Sequence, residues 1–250
     1  MRSPRKSIAF KSFAGVFGLL VIFTIVMGAI GLGVFSDAIL EQYSNGAFRT
    51  ARSAALMVNA DRMEEYLKSG GKTEEYMEVY THLDRLCNSQ DATFVYVIQP
   101  DTTDYEHITF VFSTMNRKSH YTHYELGYVR ATTNDDYREK YKALYDQTTD
   151  TALVLRNTGY IETDPHITAM IPLIGSNGQT KAILCVQRQM DSLNQARHEY
   201  IQKLISALIL LSVVLIAGVG IYLNRTLLRP VKKITDEASR FAKENTPAES

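Results

Sequence analysis

Apolar side chains are distributed along this chain in two ways. From Phe13 to Phe35, and again from Leu204 to Leu223, they run almost unbroken, with no Lys, Arg, Asp or Glu in either stretch. Each matches the ~20 residues a helix needs to cross a bilayer. In lipid such a helix satisfies every backbone group internally, whereas in water it would have to be buried on all sides. The pattern predicts transmembrane helices over 13–35 and 204–223.

Between them the apolar positions become periodic. Ile39, Tyr43, Ala47, Ala51, Ala54, Val58 and Met63 approximate one helical stripe, expected to run on to Gly70-Gly71. Tyr76, Tyr80, Leu83 and Cys87 form a second stripe, with Thr73 placed as its N-cap. The period then changes. Phe94–Ile98 and His107–Thr114 are β-branched and aromatic, and Pro100-Asp101 lies in the loop between them. A polar, Tyr-rich excursion spans Met115 to Asp150. It contains one short helix, capped by Thr133 or Asn134, on which Tyr137, Tyr141, Leu144 and Tyr145 share a face. Three more strands follow at Ala152–Arg156, Ile167–Ile174 and Lys181–Gln189. Asn177-Gly178 marks a hairpin between the last two. An exit helix begins near Met190 and leads into the second apolar stretch.

Five strands and their helices, without βαβ alternation, predict an α+β domain with an antiparallel sheet. The expected organisation is a cytoplasmic N-terminus over 1–12, a span over 13–35, an extracytoplasmic domain over 36–200, a span over 204–223 and a connector over 225–250. The flanks set the orientation. Arg2, Arg5, Lys6 and Lys11 precede the first span, and Arg225, Arg229, Lys232 and Lys233 follow the second. The positive-inside bias puts both termini in the cytoplasm and 36–200 outside, as a multi-pass protein of the cell membrane. A basic start before an apolar run also fits a cleaved signal peptide. The run exceeds the ~7–15 residues of a signal core, however, and no clear cleavage pattern follows Gly28, Gly31 and Gly33, so an uncleaved anchor is expected. Those glycines with Ala29 suit close approach of two spans.

Composition narrows the partners. Twenty-seven basic and 27 acidic residues give zero formal charge, which offers no electrostatic footprint for nucleic acid. The two cysteines, Cys87 and Cys185, lie in the segment expected outside, where a disulfide is permitted. Nothing in their spacing forces one, and a buried thiol is the simpler reading of each. Catalytic signatures are missing: there is no G-x-S-x-G elbow, phosphate loop or H-E-x-x-H. The pairs Glu64-Glu65, Glu74-Glu75 and Asp135-Asp136 fall in helical or capping contexts, where carboxylates are ordinarily solvated. These residues read as non-enzymatic, and no cofactor is implied. His120 and His123, with His107 or His166, have metal-ligand chemistry but no helical periodicity around them; they read as surface histidines, and no metal site is expected.

Over residues 36–195 the chain resembles an extracytoplasmic PAS-like sensor of the Cache superfamily. The resemblance rests on the long leading helix, on Phe94-Val95-Tyr96-Val97-Ile98 as first strand, and on Glu125-Leu126-Gly127 before a Tyr-rich helix. It rests most on the closing hairpin, Ile167-Thr168-Ala169-Met170-Ile171-Pro172-Leu173-Ile174 through Asn177-Gly178 to Ile183-Leu184-Cys185-Val186. After the second span, Leu228-Arg229-Pro230-Val231-Lys232-Lys233-Ile234, with Glu237, Ala238 and Phe241, resembles the first helix of a HAMP linker. The likeness departs at Glu244-Asn245, where such linkers usually carry Gly-Asp, and a second HAMP helix would fall beyond Ser250. Independently of any family, Val231, Ile234, Ala238 and Phe241 are spaced three, four and three, as in the seam of a coiled coil.

The resemblance implies a receptor that senses an extracellular small molecule, an amino acid, carboxylate or amine, and works as a homodimer. Its signal would pass through the second span and Pro230, Val231, Ile234, Glu237, Ala238 and Phe241 to a cytoplasmic output domain. The alternative is a membrane-anchored extracytoplasmic enzyme or assembly factor with no signalling role. The resemblance also implies a ligand between the sheet and the segment crossing it, Met115–Asp150. There Tyr121, Tyr124, Tyr128 and Tyr137 offer aromatic walls, and Arg117 and Arg130 suit a carboxylate. Alternatively these tyrosines cover a sheet edge and the arginines are solvated. Tyr96 and Thr168 face either the pocket or the opposite side, because a register shift of one residue inverts a strand.

Overall fold

A computed structural model describes residues 8–90, 92–119, 123–156 and 165–244, and the chain divides into two compact units, 34–196 and 1–33 with 197–250. The larger unit is built on one antiparallel sheet. Its strands are β1 (Phe94–Pro100), β2 (His107–Met115), β3 (Val129–Ala131), β4 (Ala152–Arg156), β5 (His166–Ile174) and β6 (Thr180–Gln189), in the order β3-β2-β1-β6-β5-β4.

The sheet therefore has six strands, not five. β3 pairs with β2 through His107–Ala131, Ile108–Arg130 and Thr109–Val129. Three residues are too few to display a period of two, so the hydropathy pattern conceals this edge strand.

Alternation along each strand sorts the side chains into two layers. Val95 and Val97 of β1, Val111 of β2, Ile167, Ala169 and Ile171 of β5 and Leu184 of β6 face one side. They pack on α1 (Ile8–Ala55) through Ala47, Ala51 and Ala54, on α2 (Met63–Ser69) through Met63 and Tyr66, and on α3 (Glu74–Ser89) through Val79, Leu83 and Cys87. Phe94, Tyr96, Ile98, Phe110, Met170, Ile183 and Cys185 face the other side, towards Tyr137, Tyr141 and Leu144 of α4 (Asp135–Tyr145). Cys87 and Cys185 thus belong to opposite layers, and both are free thiols.

The leading helix stops earlier than its stripe suggests. α1 ends at Ala55, and a 3-10 turn, Ala60–Arg62, follows Asn59, whose side chain accepts a hydrogen bond from the Asp61 N–H at 3.1 Å. Met63 comes five residues after Val58, which breaks the three-four spacing, and Asn59 supplies a cap that competes with helix continuation. Gly70, at φ 62°, then closes α2 in the left-handed region that glycine adopts without steric cost. Thr73 caps α3 by accepting from the Tyr76 N–H at 3.2 Å, and Asn134 caps α4 by accepting from Asp136 N–H at 2.9 Å. Arg188 of β6 lies over the Tyr43 ring at 4.1 Å and donates to the Tyr43 carbonyl at 3.1 Å. The contact needs Gly46, where a Cβ would meet Arg188 Nη1 at 2.5 Å.

The smaller unit holds the apolar parts of α1 and α5 (Asp191–Leu223), which among the described residues are the two helices long and apolar enough to cross a membrane. Leu19, Ile22, Phe23 and Ile25 on one, and Ile209, Leu210, Val213 and Val214 on the other, are exposed. A Cβ at Gly28 would touch Leu204 at 3.5 Å, and one at Gly31 would crowd Tyr200 Oη at 3.1 Å, so these glycines sit where the two helices meet. One π turn, Asn224–Leu228, joins α5 to α6 (Arg229–Glu244).

Candidate functional site

The α4 side of the sheet is incompletely filled. A cavity of about 370 Å³ lies between the sheet, α4 and the strap Arg130–Asn134 that leads from β3 into α4. That volume falls at the low end of the ~300–1,000 Å³ typical of small-molecule sites. Its floor carries Phe94 and Tyr96 from β1, Ile108 and Phe110 from β2, and His166 from β5; its roof carries Tyr137 and Tyr141.

Local sequence explains why these groups converge. Glu125-Leu126-Gly127-Tyr128 forms a turn in which the Tyr128 N–H donates to Glu125 O at 3.1 Å, with Gly127 at φ 80°. Gly127 N–H donates to Phe110 O at 2.8 Å, which lays the turn along β2. Tyr124 is thereby stacked on Phe110, centroids 4.3 Å apart, and Tyr128 on Tyr124 at 5.2 Å. Arg130 follows, its guanidinium 5.3 Å from the Tyr124 ring and its Nη1 donating to Tyr124 Oη at 2.6 Å. The strap is pinned at both ends of one residue: Thr132 N–H donates to Glu106 O at 2.6 Å, and Arg138 Nε donates to Thr132 O at 2.8 Å. Farther in, Tyr137 Oη hydrogen-bonds Thr168 Oγ1 at 2.9 Å and lies 3.4 Å from His166 Nε2.

Of the residues expected at a binding site, Tyr96, Tyr124, Arg130 and Tyr137 line this one cavity. Thr168 stands behind Tyr137 as its hydrogen-bond partner. Arg117 lies elsewhere: its exposed guanidinium is 3.5 Å from Asp84, and its backbone N–H donates to Asn88 Oδ1 at 2.9 Å, both at the end of α3. Tyr121 and His120 fall outside the described residues. His166, expected on the surface, is buried, because it opens β5 between Arg156 and Gln189. His107 and His123 are exposed, and among the described residues no three metal-ligating side chains cluster.

Sequence reasoning missed Phe94, Phe110, Thr132, Tyr141, Arg156 and Gln187 as lining residues. Two signals pointed to some of them: Phe94 is two residues from Tyr96 on one strand face, and Tyr141 is one helical turn from Tyr137. The relay candidates Pro230, Val231, Ile234, Glu237, Ala238 and Phe241 all belong to α6, where Val231 and Ile234 are exposed.

Three phenols of the cavity, Tyr96, Tyr137 and Tyr141, are held neutral by burial. Burial pushes Tyr137 up from 10.0 to about 12, and pushes Tyr96 and Tyr141 well above the ordinary value. On the opposite face burial takes Tyr76 to about 12 as well. A group whose folded pKa exceeds its unfolded pKa stabilises the fold fully below the unfolded value and loses that contribution as pH climbs to the folded one. The denaturation midpoint is therefore expected to be insensitive to these groups below pH 10.0 and to fall between there and pH 12. Tyrosinate absorbance from buried phenols should appear together with unfolding; appearance well before it would contradict the burial.

No protein-family model matches the chain, and no curated protein does. Among solved structures it is similar to the ligand-binding domain of the Campylobacter jejuni chemoreceptor Tlp3 in complex with L-norvaline, at 17% identity and a TM-score of 0.40, covering 66% of this chain and 58% of that one. It is similar to the periplasmic sensory domain of the C. jejuni chemoreceptor Tlp1, at 9% identity and a TM-score of 0.39, covering 68% of this chain and 61% of that one. A GAF domain of A. aeolicus nlh2 matches at 8% identity and a TM-score of 0.31, covering 63% of this chain and 92% of that one. The chain thus spans about three fifths of the two chemoreceptor domains.

Proposed function

We propose that this chain is the sensing and relay part of a membrane receptor, with residues 36–200 as an extracytoplasmic Cache-like domain that binds a small molecule. The observation that carries the reading is the cavity: about 370 Å³, walled by neutral aromatic rings and provided with an arginine at β3, on a sheet whose other face is closed by α1–α3. Catalysis has less support: the hydroxyl beside a base among the described cavity residues, Tyr137 Oη at 3.4 Å from His166 Nε2, is a phenol that burial pushes up to about 12. Helices α1 and α5 act as the spans, with both termini cytoplasmic.

Beyond the second span, α6 presents Val231 and Ile234 exposed on one stripe with Ala238. A mere tether needs no such seam, so the stripe weighs against an anchored enzyme or assembly factor and favours a homodimer whose α6 helices pack as a HAMP linker. Ligand binding would select one of two packings through a shift of about 1–2 Å in the second span. Moving that equilibrium from mostly off to mostly on takes a differential affinity of ~10⁴, so tight binding alone would not signal. A cytoplasmic output domain would receive the change.

The test is a melting-temperature screen of the full chain in lipid nanodiscs against amino acids, carboxylates and amines. A concentration-dependent rise with at least one compound is expected, and it should be lost when Ala131, at the cavity rim, is replaced by tryptophan. A hit that survives Ala131→Trp with unchanged affinity would remove the cavity from the function.

A further inference from the structure

The strap that roofs the cavity starts from Arg130 of β3, which lines the cavity. Among the described residues only Nη1 of Arg130 is used, on Tyr124 Oη, which leaves most of a five-donor fork for a ligand. A guanidinium with donors to spare, Arg156 as a second cation and no described Asp or Glu in the lining form a receptor for an anion.

The remaining walls specify the rest of the ligand. Phe94, Tyr96, Phe110, Tyr124, Tyr137 and Tyr141 supply six rings, and Ile108 and Ala131 are the aliphatic contributors. Tyr124 is stacked on Phe110, but the other rings leave faces and edges open: Phe94 meets Tyr96 edge-on at 5.8 Å and 82°, and Tyr96 is tilted 45° from Phe110 at 5.7 Å. Such walls offer flat faces and edges to a further ring. They would also suit a quaternary ammonium, but Arg130 already occupies the Tyr124 face and places positive charge inside the enclosure.

We propose that the cavity's occupant is an aromatic monocarboxylate, its carboxylate held by Arg130, its ring lodged among Phe94, Tyr96 and Phe110. This rests on the reading of the cavity as a sensory site and narrows its ligand class. Burial keeps the Tyr96, Tyr137 and Tyr141 phenols protonated, so they do not oppose the charge. β3, the strand that hydropathy conceals, presents the anion-binding arginine.

The experiment uses the full chain in nanodiscs, with binding read by calorimetry and by melting temperature. The aryl acids are benzoate, phenylacetate, 4-hydroxyphenylacetate and indole-3-acetate; the controls are phenylacetamide, acetate and glycine betaine. At least one aryl acid is expected to bind, with phenylacetamide, acetate and glycine betaine each at least tenfold weaker on the scale of a lost charge or ring contact. Arg130→Gln should weaken the aryl acid about a hundredfold. The proposal is overturned if no aryl acid binds, if a control binds as tightly as the best of them, or if Arg130→Gln leaves affinity intact. These failures differ from failure of the sensory reading. If an amine or aliphatic compound binds and Ala131→Trp abolishes it, the sensory cavity stands and the aryl-acid assignment falls; if no compound of the whole screen binds, both fall.

Discussion

Replacing Phe112 by alanine is expected to lower the stability of the sheet domain by about 3–5 kcal/mol, the upper part of the range for large core truncations. Phe112 is 1% exposed and is gripped by two rings, stacked on Tyr76 at 4.6 Å and 14°, and edge-on to Tyr66 at 5.3 Å and 71°. The cost of a cavity depends on how far its walls can collapse, and here they cannot move freely. Tyr76 Oη donates to Val111 O at 3.0 Å, and Tyr66 Oη donates to Glu75 Oε1 at 2.7 Å, so each ring is anchored at its far end. Closing the void would break one of these bonds.

Phe110→Ala supplies the contrast. It removes the same side chain two residues away but, across the register shift between Val97 and Ile98 in the β1–β2 pairing, on the face where a cavity already exists. Its cost should be no more than about half that of Phe112→Ala. Urea denaturation of both variants checks the pair: the midpoint should fall for each at similar slope, and much farther for Phe112. Equal losses would mean that the two faces are equally packed, and would remove the structural basis for placing a ligand on one of them. With a domain stability of ~5–15 kcal/mol, Phe112→Ala leaves a folded but weakened protein in most of that range.

The two faces also show how much the sequence discloses. The β-branched and aromatic content of Phe94–Ile98 and His107–Thr114 places strands correctly, and Asn177-Gly178 announces its hairpin: Gly178 N–H donates to Gly175 O at 2.9 Å, and Ser176 N–H is held by the Asp61 carboxylate at 3.0 Å. What alternation cannot say is which alternate set faces which layer. Tyr96 and Thr168 are ambiguous for that reason, and the packing of α4 on their side, through long-range contacts with Tyr137 and Tyr141, makes the choice. The edge strand β3 was invisible for a different reason. Its Val129 is exposed, Ala131 reaches only the cavity rim, and the side chain that lines the cavity between them is Arg130, so the usual code is inverted. His166 was misread because a histidine that opens a buried strand has no hydropathy signature. Arg117 was misplaced because residues close in sequence to a crossing segment need not lie over the sheet; Asn116 binds the Ala92 and Cys87 carbonyls at 3.1 and 3.2 Å and fixes Arg117 beside α3. Polar residues with specific roles were thus the hardest to read, as expected where local rules give way to function.

Deleting Thr226 is expected to uncouple binding from relay altogether. The residue lies in the π turn Asn224–Leu228, where an i to i+5 pattern accommodates one residue more than an α-turn does. Pro230 follows at the second position of α6, where it offers no N–H to the preceding turn, and its ring disfavours regular α geometry there. The pair works as a register joint: α5 arrives in one phase and α6 leaves in another. Removing one residue turns everything downstream by ~100° and draws it back ~1.5 Å. Val231, Ile234 and Ala238 would then leave the azimuth set by the span. A cysteine at Ile234 reports this directly in membranes, by the yield of cross-linking between two copies. In the otherwise unaltered chain that yield should change on adding the compound that raises the melting temperature; with Thr226 deleted the change should shrink at least tenfold while the compound's affinity stays within a few fold. Pro230→Ala, which restores a donor without shifting phase, should alter the yield more mildly and leave affinity equally untouched. An affinity loss of two decades in either variant would show that the joint shapes the binding domain itself, and an unaltered response in the deletion would show that rotation of α6 is not what the span conveys.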